Sequence, residues 1–191
     1  MLKFVFAILF LLIFQSCAPL IGVIGVASVG SASKEKGIGT SFSDTIIHTQ
    51  ISNKIFKYNP AIIADTKVFV NDGAVLITGK VKTHDDKIQL TKITWKIKGV
   101  KEVNNETQVT NVTSIKNIAR DIASIAEIRA RIMTEKRINS LNFSIDVIND
   151  KAYIVGIAAS KEEMKLVMDQ ASSARFISEV YNYIIIPNDK R

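Results

Sequence analysis

The sequence predicts an α+β fold made of two tandem copies of one small unit. Each unit has the element order αββαβ, with a three-stranded mixed sheet covered by two helices. Three observations predict this architecture: an internal repeat, hairpins with strong turn residues, and helical patterns on both sides of each hairpin. The chain has 191 residues, of which 47% are hydrophobic and 23% are charged, a composition typical of ordinary globular proteins.

The internal repeat has a period of 77 residues. A shift of this size aligns the two halves without a gap, and the shared positions are mainly apolar. Gly79 falls on Gly156, which keeps a glycine at one fixed place in both copies. Such self-similarity indicates one small fold used twice. Other matched pairs are Ile51 with Ile128, Ile55 with Ile132, Val70 with Val147, Ile77 with Ile154, and Asn105 with Asn182.

The first copy alternates between helix and strand patterns. Ile47, Ile51 and Ile55 recur at helical spacing, while the residues on either side of the turn Asn71-Asp72-Gly73 alternate as strands do. The predicted elements are a helix over 44–56 capped by Ser43, strands over 66–70 and 74–78 with Gly79 leaving the second strand, a helix capped by Thr83 and ended by Gly99, and a strand over 100–109.

The second copy repeats the same order of patterns. Two helices on one face of a three-stranded sheet satisfy the rule that apolar faces are buried between layers. The second helix of each unit carries the third strand to a position parallel with a neighbour. The predicted elements are a helix over 118–138, strands over 142–148 and 152–157, a helix over 161–174 capped by Ser160, and a strand over 177–186.

The N-terminus carries a processing signal. Residues 4–14 are an unbroken apolar run, followed by Gln15, Ser16 and the only cysteine of the chain, Cys17. A run of 11 residues is too short to span a bilayer as a helix, which needs about 20, but it has the length of a secretory signal core. The segment resembles a bacterial lipoprotein signal, in which a small residue precedes an obligatory cysteine.

Two other interpretations of this segment stay open. Residues 18–29 continue the apolar character, so the combined run is long enough for an uncleaved membrane anchor. A cytosolic helix with a buried cysteine is the second alternative, although the run is apolar on every side. If cleavage occurs, Cys17 becomes the mature N-terminus with thioether-linked and amide-linked acyl chains, which together anchor stably. Ala18 in the next position, in place of the aspartate that signals inner-membrane retention, favours the outer membrane with the body facing the periplasm.

The formal charge of +7 and the isoelectric point of about 9.5 permit an anionic partner. Nucleic acid would require access to the cytoplasm, which the export signal removes, so no nucleic-acid partner is expected unless Cys17 is uncleaved and the body is cytosolic. An acidic membrane surface is therefore the anionic partner that we expect.

Catalysis is weakly supported by the sequence. His84 precedes Asp85 and Asp86, but the matching positions of the second copy keep the acidic pair without the histidine. That pattern fits helix capping better than acid-base chemistry. The chain has no nucleophile motif, phosphate loop or metal-ligand cluster. We therefore expect no enzyme activity, no catalytic residues, no metal and no cofactor.

Several stretches resemble the BON domain. They are VNDGAVLITGKV (70–81), INDKAYIVGIAAS (148–160), GVKEVNNE (99–106) and FISEVYNYI (176–184). Together with the signal they are similar to dual-BON outer-membrane lipoproteins. The expected domains are a signal peptide (1–16), a lipidated anchor and linker (17–39), and BON units over 40–112 and 113–191. The resemblance implies a non-enzymatic periplasmic protein that binds anionic phospholipid and supports outer-membrane integrity; the alternative is an envelope scaffold that binds protein partners.

The resemblance also implies a lipid site on the first helix of the second unit, which bears an exposed aromatic residue in the family. Ala123 and Ile125 lie near that position here, so the helix lacks the aromatic anchor. The candidate contacts are Ile122 and Ile125 as apolar insertions, with Arg129 and Arg131 on lipid phosphates.

The other interpretation of this helix is a solvated charged face over a core stripe, with its arginines paired to Asp121, Glu127 and Glu135. Lysines scattered over the first unit either make a second anionic contact or only keep the domain soluble. They are Lys80, Lys82, Lys87, Lys92, Lys96, Lys98 and Lys101.

Overall fold

A computed structural model of the chain describes residues 38–110 and 114–187. The predicted signal peptide, the lipidation site at Cys17 and most of the predicted linker lie outside the described residues. The two described segments form two units of mixed helix and strand, and the predicted α+β fold class is confirmed.

The first unit is built around its second strand, Ala74–Val81 (β2). The strand Thr66–Asn71 (β1) pairs with β2 antiparallel, whereas Glu102–Asn105 (β3) and Gln108–Val109 (β4) pair with β2 in parallel. The predicted third strand is therefore present as two segments on the same neighbour. The elements are α1 (Ile38–Tyr58), α2 (Pro60–Asp65), β1 (Thr66–Asn71), β2 (Ala74–Val81), α3 (His84–Trp95), β3 (Glu102–Asn105) and β4 (Gln108–Val109).

The second unit repeats this arrangement with a three-stranded sheet. Its central strand pairs antiparallel with the preceding strand and parallel with the last one. A single turn of 3-10 helix, Ser140–Asn142, leads into the hairpin. The elements are α4 (Ile115–Thr134), β5 (Phe143–Ile148), β6 (Lys151–Ile157), α5 (Lys161–Ser172) and β7 (Glu179–Ile185).

Several element boundaries differ from the sequence expectation: α1 begins at Ile38 instead of residue 44, and α2 follows it where the sequence predicts no helix. Gly79 does not leave its strand: it pairs with Thr66, and β2 continues to Val81. A φ of +116° at this residue lets the strand pass close to the backbone of Asp65, a conformation that glycine adopts without strain. In the second unit, α4 ends at Thr134 instead of residue 138, with Ile138 buried in the loop that follows.

Two of the three predicted helix caps are confirmed at the level of atoms, whereas Ser43 lies inside α1, which begins at Ile38. The Thr83 Oγ1 accepts a hydrogen bond from the Asp86 N–H at 3.0 Å. The Ser160 Oγ accepts one from the Glu163 N–H at 3.1 Å. Each cap satisfies one of the N–H groups that a helix leaves without an intrahelical partner.

Each hairpin turn is held by an aspartate from the first helix of its unit. The Asp44 carboxylate accepts hydrogen bonds from the N–H groups of Asp72 and Gly73 at 2.9 and 3.0 Å. In the second unit, Asp121 accepts from Asn149 and Asp150 at 3.0 and 3.1 Å. Both residues of each turn have positive φ, as a tight two-residue hairpin requires. The buried Asp121 thus serves the turn and pairs with no arginine among the described residues.

Each unit has its own apolar core between its helices and one face of its sheet. Strand residues alternate between the two faces, and the helix-facing set is almost wholly buried. Burial of these side chains supplies most of the driving force for folding. The first core contains Ile47, Ile51, Ile55, Val68, Val75, Ile77 and Leu90, and the second contains Ile128, Ile132, Ile145, Val147, Ile154, Val167 and Ile184.

The opposite faces of the two sheets pack against each other. Leu76, Tyr153 and Val155 form a third buried cluster between the units. The rings of Tyr153 and Tyr181 stack with centroids 5.0 Å apart. The fold is therefore a four-layer sandwich with two sheets inside, and the helix layers of the two units face in opposite directions.

Polar side chains also cross this sheet-to-sheet interface. Asp146 is 1% exposed and accepts a hydrogen bond from the Thr78 Oγ1 at 2.6 Å, while its other oxygen pairs with Lys67. The Tyr183 hydroxyl donates to the Glu106 Oε1 at 2.7 Å. Burial and this carboxylate raise the pKa of Tyr183 above its ordinary value. These bonds fix the register between the units.

Candidate functional site

The outward side of α4 is an apolar ridge. Ile122 is 61% exposed, and no carboxylate is exposed along this helix among the side chains that the structure describes. The acidic residues of α4, Asp121 and Glu127, are buried and half-buried. The exposed side chains are Lys116, Ile118, Ala119, Ile122, Ala123, Ala126, Arg129, Ala130, Met133 and Thr134.

The four residues predicted for this site differ in their exposure and in their ion pairing. Ile122 and Arg129 are exposed on the ridge, and Arg129 has no ion-pair partner within the described part of the chain. Ile125 is half-buried against the second core. Arg131 binds Glu127, with its Nη2 2.9 Å and its Nε 3.1 Å from the Oε1.

Ion pairs therefore involve only some of the arginines on and next to α4. The Arg131 guanidinium and the Arg175 backbone N–H hold the pKa of Glu127 below its usual range. Glu135 binds Arg137 at 2.9 Å. The interpretation of the helix as a charged, paired face holds for Arg131, for Arg137 and for Arg120, whose Nη1 lies 3.3 Å from the Asp150 Oδ2, but not for the outer ridge.

A groove of about 210 Å³ lies beside Ile122, between α4 and the first unit. Ile118, Ile122 and Ile125 line one wall, and the first unit contributes Lys67, Lys80 and the exposed Asp65. Lys67 is tied to Asp146, whereas Lys80 makes no ion pair with any described residue. The groove thus brings a cation of one unit next to the apolar ridge of the other.

The repeat supplies an internal comparison for this groove. The equivalent groove beside α1 has a volume of about 340 Å³ and is lined by Thr45 and His48, the positions that match Ile122 and Ile125. Lys67 and Lys80 are matched there by Ser144 and Ile157. Because the same fold tolerates Thr45 and His48 at these places, the isoleucines beside α4 are not required by the architecture.

Sequence reasoning missed Phe176, an aromatic residue that is 45% exposed beside α4. Its ring lies 5.1 Å from the Arg120 guanidinium carbon and 5.9 Å from that of Arg175, a cation-π arrangement. Phe176 has a φ of +69°, at the position where the first unit has Gly99 with a φ of +96°. A left-handed non-glycine residue is strained and often marks a functional position. The repeat alignment, which matches Phe176 to a turn glycine, contains the signal that would have found it.

The described residues show neither a metal centre nor a membrane-spanning helix. No group of three or more His, Cys, Asp and Glu side chains within residues 38–110 and 114–187 is placed to hold a metal ion. None of the described helices combines the length and apolar character needed to cross a bilayer. His84 is the first residue of α3, two residues before Asp86, whose N–H donates to the Thr83 cap. This is the helix-capping arrangement that the sequence predicts.

Comparison with protein-family models matches the BON domain twice, over residues 43–111 and 121–188. The chain belongs to the BON domain family. The two matches fall on the two units of the sandwich, and the BON hairpins are the ones that Asp44 and Asp121 hold.

Two relatives extend this comparison. An uncharacterized protein in the gshII 5' region of Anaplasma centrale is 30% identical over 148 residues, which cover 77% of this chain and 97% of the relative. The outer membrane lipoprotein DolP of Haemophilus influenzae is 22% identical over 174 residues, covering 89% of this chain and 90% of DolP. A solved structure of CdsD, a structural protein of the type III secretion system of Chlamydia trachomatis, is similar with a TM-score of 0.31 at 13% identity, covering 70% of this chain and 62% of that one.

Proposed function

We propose that this BON protein is an outer-membrane lipoprotein that binds anionic phospholipid and supports the integrity of the outer membrane. Acyl chains on Cys17 hold it to the membrane, and the two units face the periplasm. The full-length similarity to DolP, which is named as an outer membrane lipoprotein, supports the anchoring. The outward side of α4 supports the phospholipid contact, and it is the observation that carries the proposal.

The composition of this ridge supports membrane contact over simple solvation. A solvated helix normally exposes mixed charges, whereas the exposed ridge of α4 has alanines, two isoleucines and a methionine with only Lys116 and Arg129 charged. Apolar side chains flanked by cations and free of carboxylates suit the interfacial region of an anionic bilayer. The alanines keep the ridge low, so that Ile122 and Met133 protrude.

The proposed contact combines the insertion of apolar side chains with the attraction of basic side chains to lipid phosphate. Ile122 enters the headgroup region, with Ile125 at the edge of the groove behind it. Arg129 contacts lipid phosphate directly, at about 1 kcal/mol for each basic residue near the surface. Arg131 adds to the positive potential while it holds Glu127. Phe176 supplies an aromatic side chain that α4 itself lacks, from a position next to Arg120.

Reversing the charge of Arg129 tests the site. In residues 38–191, the Arg129→Glu substitution is expected to weaken binding to anionic vesicles roughly tenfold or more, since one attractive charge becomes a repulsive one. The truncated chain keeps both cores, which lie between Ile47 and Ile184, and a cooperative thermal transition verifies its folding. Vesicle co-sedimentation at low salt measures the affinity.

The matched control is Arg137→Glu, which changes the net charge by the same amount. Arg137 lies beyond the end of α4, where it is exposed and binds Glu135. We expect this variant to lose much less affinity than Arg129→Glu. Equal losses would show that binding depends on net charge alone and would move the site away from α4. Unchanged binding by both variants would also contradict the site.

A further inference from the structure

The helix layer of the first unit exposes an unusual set of large apolar side chains. Phe42 is 69% exposed and Trp95 is 52% exposed. They lie on the sides of α1 and α3 that face away from the sheet, because the opposite sides carry the buried Ile47, Ile51 and Leu90. The complete exposed set on this layer is Phe42, Ile46, Phe56, Tyr58, Ile88 and Trp95.

The two helices present these side chains as one surface. The Tyr58 hydroxyl at the end of α1 donates to the Asp86 Oδ1 at the start of α3 at 3.1 Å, and the loop after α3 approaches Ile47 near the start of α1. The helices therefore lie side by side and antiparallel. This places Trp95 toward the Phe42 end of the layer and Ile88 toward the Phe56 end.

Lysines surround this aromatic surface. Five of them are exposed on or next to the layer and make no ion pair with any described residue. The exposed carboxylates of the first unit's helices are Asp65 at the end of α2 and Asp85 at the first turn of α3. The five are Lys54, Lys57, Lys92, Lys96 and Lys98.

We propose that this aromatic layer of the first unit is a second membrane-contact surface, whose occupant is the headgroup region of an anionic bilayer. Tryptophan and tyrosine prefer this region because they combine an apolar ring with a polar group, and lysines reach phosphates with their ammonium while their stems cover apolar surface. The surface adds to the proposed phospholipid contact of α4 and uses none of its residues.

The basic residue type favours lipid over a protein partner. Protein interfaces are enriched in arginine and depleted in lysine. Residues 38–110 contain no arginine, so every strong base on this layer is a lysine. A protein-binding surface with a tryptophan and three other aromatic residues would be expected to carry arginine among them.

The aromatic layer and the helix layer that contains α4 lie on opposite sides of the sandwich. The two sheets lie between the helix layers, and stacked sheets are about 10 Å apart with helices of about 10 Å diameter on either side. One flat bilayer therefore cannot contact the outer sides of α4 and of the first unit at once. A body that uses both surfaces connects two bilayers.

Trp95 is the only tryptophan of the chain and reports on this surface directly. When residues 38–191 are mixed with anionic vesicles, its emission is expected to shift to shorter wavelength, and brominated lipids are expected to quench it. The Ile122→Thr, Arg129→Glu double variant should keep this response, because it alters only the other face. The Phe42→Ser, Ile46→Ser double variant should weaken it by about tenfold or more in apparent affinity, since two exposed side chains no longer insert.

The outcomes separate the two surfaces. Vesicle binding without any change in Trp95 emission would overturn the aromatic surface and leave the α4 proposal intact. A Trp95 shift that disappears in the Ile122→Thr, Arg129→Glu variant would overturn it as an independent surface. Absence of vesicle binding would overturn both proposals. Vesicle clustering by the wild-type body, lost in each double variant, is the result expected from two opposed surfaces, and binding that never clusters vesicles would contradict them.

Discussion

The Gly79→Ala substitution is expected to lower the free energy of unfolding by more than about 3 kcal/mol. A Cβ at this position would lie 2.2 Å from the Asp65 carbonyl oxygen and 2.7 Å from the Thr66 Cα. Both neighbours are backbone atoms and cannot move aside as a flexible side chain can. The φ of +116° adds strain for any residue with a side chain.

Urea unfolding followed by circular dichroism measures this loss. The control is Lys80→Ala in the next position of the same strand, where the side chain is half-buried and makes no ion pair with a described residue. This control should stay within about 0.5 kcal/mol of the wild type, as surface substitutions usually do. A Gly79→Ala variant as stable as the control would contradict the close approach of β2 to the start of β1.

The Asp146→Ala substitution is expected to cost roughly 2–3 kcal/mol, because it removes a buried polar contact between the two sheets. The Thr78 hydroxyl would be left fully buried without its acceptor. Lys67 would also lose its partner, but its side chain is exposed enough to be hydrated. Most of the loss should therefore come from Thr78 and from the cavity at Asp146.

Two companion variants verify this assignment. Asp146→Asn keeps an acceptor for Thr78 and should lose less stability than Asp146→Ala. Combining Thr78→Val with Asp146→Ala should cost less than the sum of the two single changes, because the two side chains act on one bond. Strict additivity in urea unfolding would indicate that the two side chains do not interact across the sheets.

The repeat and local turn chemistry account for the parts of the fold that could be predicted. Thr83 and Ser160 are helix caps whose partners lie three residues away, so their role is visible in a short stretch of sequence. The turn at Asp72-Gly73 is local in the same way. The core isoleucines of α1 and α4 follow from helical spacing.

The packing of one sheet on the other could not be predicted in the same way. The strand residues that form it mix apolar side chains such as Phe69 and Leu76 with Lys67, Asn71 and Thr78, a pattern typical of a half-exposed sheet face. Their partners lie in the other unit, 68 residues apart for Thr78 and Asp146. No local spacing encodes a contact of that range.

The candidate site could likewise be predicted only in part from the sequence. The resemblance to the BON domain indicated Ile122 and Arg129 of α4 as candidate contacts. It did not show that Asp121 turns inward to hold the Asn149-Asp150 turn, which removes a carboxylate from the ridge. Phe176 is far from α4 in sequence and reaches Arg120 only through the fold.

Co-sedimentation of residues 38–191 with anionic and with neutral vesicles, at low and at high salt, tests the proposed function most directly. The proposed function predicts binding to anionic vesicles that exceeds binding to neutral ones at low salt. It also predicts that this preference declines as salt screens the contacts of Arg129 and the lysines with phosphate. Equal binding to both vesicle types at low salt, or none to either, would contradict phospholipid recognition and favour an envelope scaffold that binds protein partners.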